Sequence, residues 1–575
     1  MLREFWGYFG RYKKYFIISV VCVILEGVFE LIIPLLMANI IDVGVKNHDT
    51  GYILQRGALM VACALISLAL GAAYARFAAL AGQGFGAELR RAEYEKVQAY
   101  SFSNIDRFHT SSLVTRLTND VTVLQNAICN GIRPLVRGPV MLLMALTMSV
   151  LLSARLALVF AVAIPLLAAG LFCILRSLRP AFGRMQRALD RVNSVVQENL
   201  MAIRVVKSFV RGDHESEKFR EVNGEFQESS TRAFHFAALN TPCFQLVMYA
   251  TIVAILWFGG GMIMAGTLQV GKLTGFLSYV MQILNSLMMI SNVFMMLTRS
   301  MTSAARIREV LEEEPDIRSV EENGARVLRG EIAFDHVYFK YAASAEEYVL
   351  SDITLRIQAG QTVGILGGTG SAKTSLVQLI PRLYDVSAGR LTIDGRDVRE
   401  YPLRHLRDAV GMVLQKNTLF SGTIRENLLW GNEAAGQEEL DWACHIACAD
   451  EFIRALPDGY ETRLGQGGAG VSGGQKQRLC IARALLKHPR VLIFDDSTSA
   501  VDTATEALIR ERMQAELRDT TKILIAQRIS SIEEADQIVV LDEGRIQDVG
   551  THSELLARSA IYAEVCATQK KGAMV

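Results

Sequence analysis

The sequence has no bulk excess of either charge: 60 Lys and Arg stand against 59 Asp and Glu in 575 residues. Composition therefore gives no ground for a nucleic-acid partner, and none is expected. A CxxC pair is also missing. The nine cysteines are scattered, several inside apolar runs, and Cys444 and Cys448 have simple helical spacing. Reduced core thiols in a cytosol-facing protein are expected, rather than a disulfide framework or a thiolate metal site. No short apolar leader opens the chain. Its start, MLREFWGYFGRYKKY, is amphipathic and basic, so a cleavable signal peptide is not expected. No internal repeat is visible. The length excludes a single ordinary core, so two or more domains are required.

What is present is apolar sequence, unevenly spread. Six segments, near 15–41, 57–81, 134–152, 156–175, 244–264 and 273–297, are long and apolar enough to span a bilayer. A tight turn around Ser153 and Arg155 separates the third from the fourth. Their number and length exclude the buried helices of a soluble all-α protein. Long charged stretches with helical periodicity follow the second and fourth segments. The Lys/Arg bias puts these stretches and the N-terminus in the cytoplasm, and the poorly basic DVGVKNHDTGYILQ outside. An even number of spans returns the chain to the cytoplasm. Residues 1–310 are thus expected to form an all-α transmembrane domain, 311–328 a charged linker, and 329–575 a second domain.

In that second domain short β-rich runs alternate with helices. EIAFDHVYFKY, TVGIL, GMVLQ, VLIF, KILIA and QIVVL are strand candidates, which argues an α/β domain with a largely parallel sheet. TVGILGGTGSAKTSLVQLI reads as strand, Gly-rich turn and helix. Gly367, Gly368, Thr369, Gly370, Ser371, Ala372, Lys373 and Thr374 fit the P-loop pattern, except that Ala372 replaces a glycine. Backbone N–H groups of such a loop curl round a polyphosphate, aimed by the helix that Ser375 continues. Lys373 would reach the terminal phosphates and Thr374 would ligate Mg²⁺. A lone match could also be a ligand-free βα turn.

VLIFDDSTSAVD places two acids at the end of an apolar strand. They could form a two-carboxylate metal site, or divide two tasks. Downstream of a P-loop, Asp495 is expected to complete the Mg²⁺ shell, as Walker-B aspartates do.

VSGGQKQR, residues 471–478, resembles the signature motif of ATP-binding-cassette (ABC) transporters. Six spans followed by one nucleotide domain resemble an exporter-type half-transporter, and the likeness covers nearly the whole chain. The resemblance implies ATP and Mg²⁺ as cofactors, Tyr341 as the aromatic on adenine, and Gln415 as the Q-loop residue sensing Mg²⁺. STSAVD would be the D-loop, ending at Asp502. The stretches around SNIDRFH and SFVRGD would be coupling helices. Two nucleotide domains would stack head to tail, so that Ser472, Gly473, Gly474 and Gln475 of one chain face the ATP held by the other. The cytoplasmic membrane of a bacterial cell is the expected location.

Against the family pattern four positions depart. Asp496 stands where a Glu acts as base or water positioner. Losing one methylene retracts the carboxylate by about 1.5 Å, one C–C bond, and such a misplacement costs on the order of a hundredfold in rate. Gln527 replaces the switch His, Gln466 a common Glu ahead of the signature, and Ala372 the loop glycine. A neutral amide bonds a phosphate but carries no imidazolium charge. Asp496 and Gln527 are thus degenerate catalytic positions. With Tyr341, Lys373, Thr374, Asp495, Gln415 and VSGGQ intact, the reading is the degenerate-site subunit of a heterodimeric multidrug exporter. The partner half-transporter is expected to carry the Walker-B Glu, the switch His and an altered signature. Alternatives are a homodimeric lipid or peptide exporter, or a nonhydrolytic regulatory subunit.

The expected partners are the lipid bilayer and a small amphiphilic, drug-like substrate. Glu26 and Glu30, one helical turn apart in the first span, are the candidate substrate residues. Facing a cavity, with Phe29 nearby, they would favour organic cations. The alternative is pairing with a basic residue such as Arg76, or a water-filled crevice. Gln245, Gln282, Asn285 and Asn292 are expected mostly to hydrogen-bond between helices. The Met-rich LMMISNVFMMLT would pack against lipid or core, or form an adaptable cavity wall.

Overall fold

The computed structural model describes residues 5–320, 324–342, 344–496 and 501–572, leaving aside the side chains of 175, 179, 291, 292, 294, 295, 298, 299 and 570–572. Its contacts divide the chain into two compact units. The first comprises 1–98 and 110–313; the second comprises 99–109 and 314–575. The short segment Ala99–His109 thus groups with the C-terminal unit, a detail that a single boundary near residue 310 does not capture.

The membrane unit holds six helices apolar enough to span a bilayer, beginning at Trp6, Thr50, Thr110, Ala154, Gly212 and Val270. They run well past the apolar segments. The second spans Thr50–Gln98, 49 residues, or about 74 Å at 1.5 Å per residue, against a hydrocarbon core of about 30 Å. The charged stretches are therefore continuations of the spanning helices, and the sixth runs unbroken over Val270–Glu312. Ser153 starts the fourth helix, its hydroxyl accepting from the Leu156 N–H at 3.3 Å. Small residues let the helices close up. A Cβ at Gly82 would stand 2.2 Å from the Cys129 sulfur, and one at Gly86 2.4 Å from Gln125 Oε1, so only glycine permits this approach. At the far end of the first helix the Asp42 carboxylate accepts from the N–H groups of Gly271 (2.6 Å) and Lys272 (3.0 Å), capping the sixth. Tyr279 donates to the Leu31 carbonyl at 2.8 Å. At the other end Asp120 accepts from Ser303 (2.8 Å) and Arg306 (2.6 Å). The sixth helix is thereby fastened to the first and third by polar contacts as well as packing.

The second unit contains twelve strands among its described residues: β1 Ile332–Phe339, β2 Leu350–Ile357, β3 Thr362–Leu366, β4 Ala388–Ile393, β5 Arg396–Asp397, β6 Val410–Val413, β7 Gly422–Thr423, β8 Arg463–Leu464, β9 Val491–Asp495, β10 Thr521–Ile525, β11 Gln537–Asp542 and β12 Arg545–Gly550. A six-stranded sheet in the order β12-β11-β3-β10-β9-β6 is parallel except at the β12 edge. Its central strands β9 and β10 are buried at every position but Leu524, as expected of parallel strands covered on both faces. A separate four-stranded sheet, β2-β1-β4-β5, is antiparallel. The sequence reading found β1 but not this sheet. In β2 burial alternates, so its apolar residues are interleaved with Ser351, Asp352, Thr354 and Arg356.

Asp394, in the β4–β5 turn, accepts from four successive backbone N–H groups, Leu328 to Glu331, at 2.7–3.0 Å. Partial burial works against its charge, but the four donors outweigh this and hold the carboxyl below its usual range. Asp394→Ala should lower the stability of this unit by about 1–2 kcal/mol, discounted because water reaches two of the four donors. The contribution is present above the ordinary carboxyl range and is lost as pH falls through the lowered value. Denaturant titration of the full chain at neutral and acid pH checks both statements.

Candidate functional site

The parallel sheet gathers the motif residues. β3 precedes the Gly-rich loop, β9 ends at Asp495, Gln527 follows β10, and Gln415 follows β6. β3, β10, β9 and β6 are neighbours running the same way, so all four connections leave at one edge. The register is close: Ile525 pairs with both Ile365 and Asp495.

Within the loop, Gly367 lies so near β11 that a Cβ would stand 2.1 Å from the Leu541 carbonyl oxygen. Gly368 and Thr369 are exposed ahead of Gly370, which has φ +86°. The buried Ser371 donates to the Gly368 carbonyl at 2.9 Å. Ala372 also adopts a left-handed backbone, φ +70°, immediately before the helix Lys373–Gln378. This explains why the P-loop pattern has glycine there, since a Cβ in this region costs about 1–2 kcal/mol. Lys373 Nζ donates to the carbonyls of Gly367 (2.8 Å) and Gly368 (2.7 Å) and to Ser371 Oγ (3.3 Å), folded across the loop it would share with a polyphosphate. Burial lowers its pKa, with Asp496 and Asp495 opposing.

Thr374 Oγ1 donates to Asp495 Oδ1 at 2.7 Å, across the intervening β10. Burial pushes the Asp495 carboxyl above its usual range, against the Thr374 hydrogen bond. A hydroxyl and a buried carboxylate held together beside a lysine-bearing loop fit a nucleotide-bound Mg²⁺: these are hard oxygen donors, and the carboxylate forms no salt bridge among the described residues. Asp496 has a left-handed backbone, φ +48°. Its Oδ2 accepts from Gln527 Nε2 at 2.6 Å and lies 3.4 Å from Gln415 Nε2. Asp496, Gln527 and Gln415 thus form one cluster of a carboxylate and two neutral amides. Of the D-loop reading, residues 497–500 lie outside the described residues, and Asp502 caps the next helix through Thr505 N–H at 3.0 Å.

Tyr341 is half-exposed and its hydroxyl is 2.8 Å from Ser375 Oγ. It meets Tyr384 edge to face at 5.1 Å. Tyr384 in turn donates to Asp106 Oδ2 at 2.6 Å and packs on Phe102 at 6.1 Å. Tyr384 therefore links the phosphate-loop helix to the SNIDRFH segment. Sequence reasoning missed it, because a tyrosine in RLYDVSAG has no motif to mark it. The second candidate coupling segment belongs to the membrane unit, where Phe209 and Val210 are exposed.

In the signature motif, Ser472 caps the helix Gly473–Leu485. Its hydroxyl accepts from the Gln475 N–H at 3.3 Å, while Gln475 Oε1 accepts from the Ser472 N–H at 2.8 Å. Gln475 is thus engaged in capping, and Gly473 and Gly474 present the helix start. Gln466 is exposed in the preceding loop.

In the membrane unit the acidic pair is not bare. Glu26 Oε1 accepts from Arg133 and from Arg137, the latter at 3.0 Å, and Glu30 Oε2 accepts from Arg137. The partners are these third-helix arginines, and Arg76 is exposed and takes no part. A turn-spaced Glu pair facing a turn-spaced Arg pair neutralises itself, which removes the case for an acidic, cation-selecting patch. Gln282 likewise departs from expectation: its side-chain oxygen is buried without a hydrogen-bond partner. The Asn292 side chain lies outside those described.

Spanning helices joined in one chain to a phosphate-loop domain with a strand-end Mg²⁺ carboxylate and a capped signature helix define an ATPase-coupled membrane transporter. Residues 16–287 match the family model for the ABC transporter transmembrane region, and residues 350–499 match the ABC transporter model. YfiB of Bacillus subtilis, an uncharacterized ABC transporter ATP-binding protein, is 39% identical, with 96% of each chain covered. YgaD of Bacillus subtilis, named as a candidate multidrug export ATP-binding/permease protein, is 32% identical over 99% of each. A structure of a bacterial Atm1-family ABC exporter with ATP bound has the same fold, with TM-score 0.83 and 24% identity, covering 97% of this chain and 99% of that one. The chain belongs to the ABC transporters. It is an exporter-type half-transporter, a six-helix membrane domain fused to an ABC ATPase domain.

Two outcomes follow. Ala372→Gly should relieve the left-handed strain and raise stability by about 1 kcal/mol, with MgATP affinity unchanged or higher; thermal melts and nucleotide titration read this. Tyr384→Phe removes a hydrogen bond to a carboxylate, a loss of about 1.5–3 kcal/mol. It should weaken substrate stimulation of ATPase activity while leaving MgATP binding intact.

Proposed function

We propose that this chain is the degenerate-site half of a heterodimeric exporter that moves amphiphilic small molecules out of the cell. The observation that carries this is the Asp496 carboxylate held by Gln527 at 2.6 Å with Gln415 beside it. A base must offer an oxygen to water, and here one of the two carboxylate oxygens already accepts from a neutral amide donor. The shortened acid and the switch glutamine thus complement one another as a holding arrangement.

In this reading the loop N–H groups, Lys373, Thr374, Ser375 and Tyr341 hold ATP. Thr374, Asp495 and Gln415 hold Mg²⁺, which when bound neutralises charge on the phosphate oxygens. Ser472, Gly473 and Gly474 face the partner's ATP. The partner half-transporter carries Glu and His at the positions of Asp496 and Gln527, and an altered signature. The nucleotide domains close, the SNIDRFH and SFVRGD segments move with them, and the cavity turns from inward- to outward-facing. Hydrolysis mainly at the partner's site resets it, while slow turnover here keeps the domains in partial contact. The exposed Phe209 and Val210 support a docking role for the second segment. The name of YgaD supports an amphiphilic drug-like substrate. The cytoplasmic membrane of a bacterium is the proposed location.

The purified chain alone should hydrolyse ATP slowly. Asp496→Glu combined with Gln527→His should raise its turnover on the order of a hundredfold, the rate cost assigned to the retracted carboxylate. Trapping should find one slowly exchanging nucleotide per heterodimer. Full exporter rates from the unmodified chain alone, abolished by Asp496→Asn, would overturn the reading.

A further inference from the structure

We propose that Glu30 and Arg133 form a two-point site for a zwitterionic amphiphile, one carrying an anionic group and an ammonium about one helical turn apart. The inference rests on the exporter reading and names its substrate class. The four charges divide into an inner and an outer pair. Glu26 and Arg137 are the inner pair, with side chains only 6% and 16% exposed. Arg137 bridges both carboxylates and Glu26 Oε1 accepts from both arginines, so the inner charges are engaged with one another, while Glu26 Oε2 is buried with no hydrogen-bond partner among the described residues. The outer pair is open: the Arg133 side chain is 41% exposed and that of Glu30 34%. Arg133 donates to Glu26 through one nitrogen, leaving most of a five-donor fork unused. The Tyr74 ring, 5.8 Å from that guanidinium, supports it, and is itself fixed by its hydroxyl's bond to the Cys129 carbonyl at 3.1 Å. Glu30 uses one carboxylate oxygen on Arg137.

The exposed face thus carries a cation and an anion at successive turns, about 5–6 Å apart along the helices. A simple anion would meet Arg133 but be repelled by Glu30, and a simple cation would meet the reverse. A headgroup with both charges satisfies each without leaving a charge unpaired at membrane depth. Counting from Leu152 at the end of the third helix, Arg133 lies about 28 Å along it, and Glu30 lies about 18 Å from Asp42 near the far end of the first helix, so both fall within a hydrocarbon core of about 30 Å.

The test is equilibrium binding to the full chain, with its partner half-transporter if it requires one, in nanodiscs of phosphatidylglycerol and without nucleotide. The probes share a twelve-carbon chain: lysophosphatidylcholine, dodecyl sulfate and dodecyltrimethylammonium. The zwitterion should bind about tenfold or more tighter than either single-charge probe. Arg133→Gln and Glu30→Gln should each lower its affinity by about tenfold, the loss of one charge-assisted contact. Arg133→Lys, which keeps the charge, should retain most of the binding. An unchanged thermal melt of the full chain in the nanodisc reports that each variant is folded. Equal binding of the three probes, or zwitterion binding unchanged in folded Gln variants, overturns the proposal. Nucleotide turnover plays no part in this measurement, so failure here and failure of the exporter reading are separate results.

Discussion

The hydrogen bond between Thr374 and Asp495 holds the nucleotide unit's chemistry in one place. One partner starts the helix after the phosphate loop and the other ends a buried strand two positions across the sheet. Their meeting requires β3, β10 and β9 to be parallel, adjacent and in register, because a one-residue slip would turn the carboxylate into the wrong layer. Once that alignment exists, Gln527 on the strand between them and Gln415 on the strand beyond arrive at the same edge. The burial of Asp495 then matters chemically: a carboxylate taken from water and bonded only in part is poised to accept a cation.

The next residue shows how little backbone change separates two roles. Asp496 continues from the strand into a left-handed turn, and its short side chain meets two amides. A longer carboxylate from the same backbone would reach further toward the phosphates. The contact to Gln527 ties this acid to the segment that follows the neighbouring strand. The same unit runs from Ser375 through Tyr341 and Tyr384 to Asp106, so the phosphate-loop helix and the SNIDRFH segment share a continuous set of contacts.

In the membrane unit the governing constraint is the cost of charge away from water. It explains why Glu26 and Glu30 are matched by Arg133 and Arg137 at the same one-turn spacing. The charges are also asymmetric, the inner pair buried and the outer pair partly exposed. An ion pair of this kind fixes the register of the first helix against the third, while its open edge leaves a dipolar surface.

The apolar runs, the phosphate loop, the signature and the four departures were all legible from residue order, because each is a local pattern: a run length, a turn, or a spacing along one helix or strand. The continuation of the spans into long charged helices was legible as periodicity, though not as unbroken helix. The antiparallel sheet was hidden, since the alternation in β2 mixes apolar with charged residues. Most of what the structure added lies in pairs far apart in sequence. Glu26 and Arg133 are 107 positions apart, Tyr384 and Asp106 278, and Gln527 and Asp496 31. The sequence by itself determined that this chain spans a membrane and carries an ABC ATPase domain. Which arginine neutralises which glutamate, and which amide occupies the shortened acid, only the tertiary structure decided, because packing brings together side chains whose spacing along the chain carries no signal.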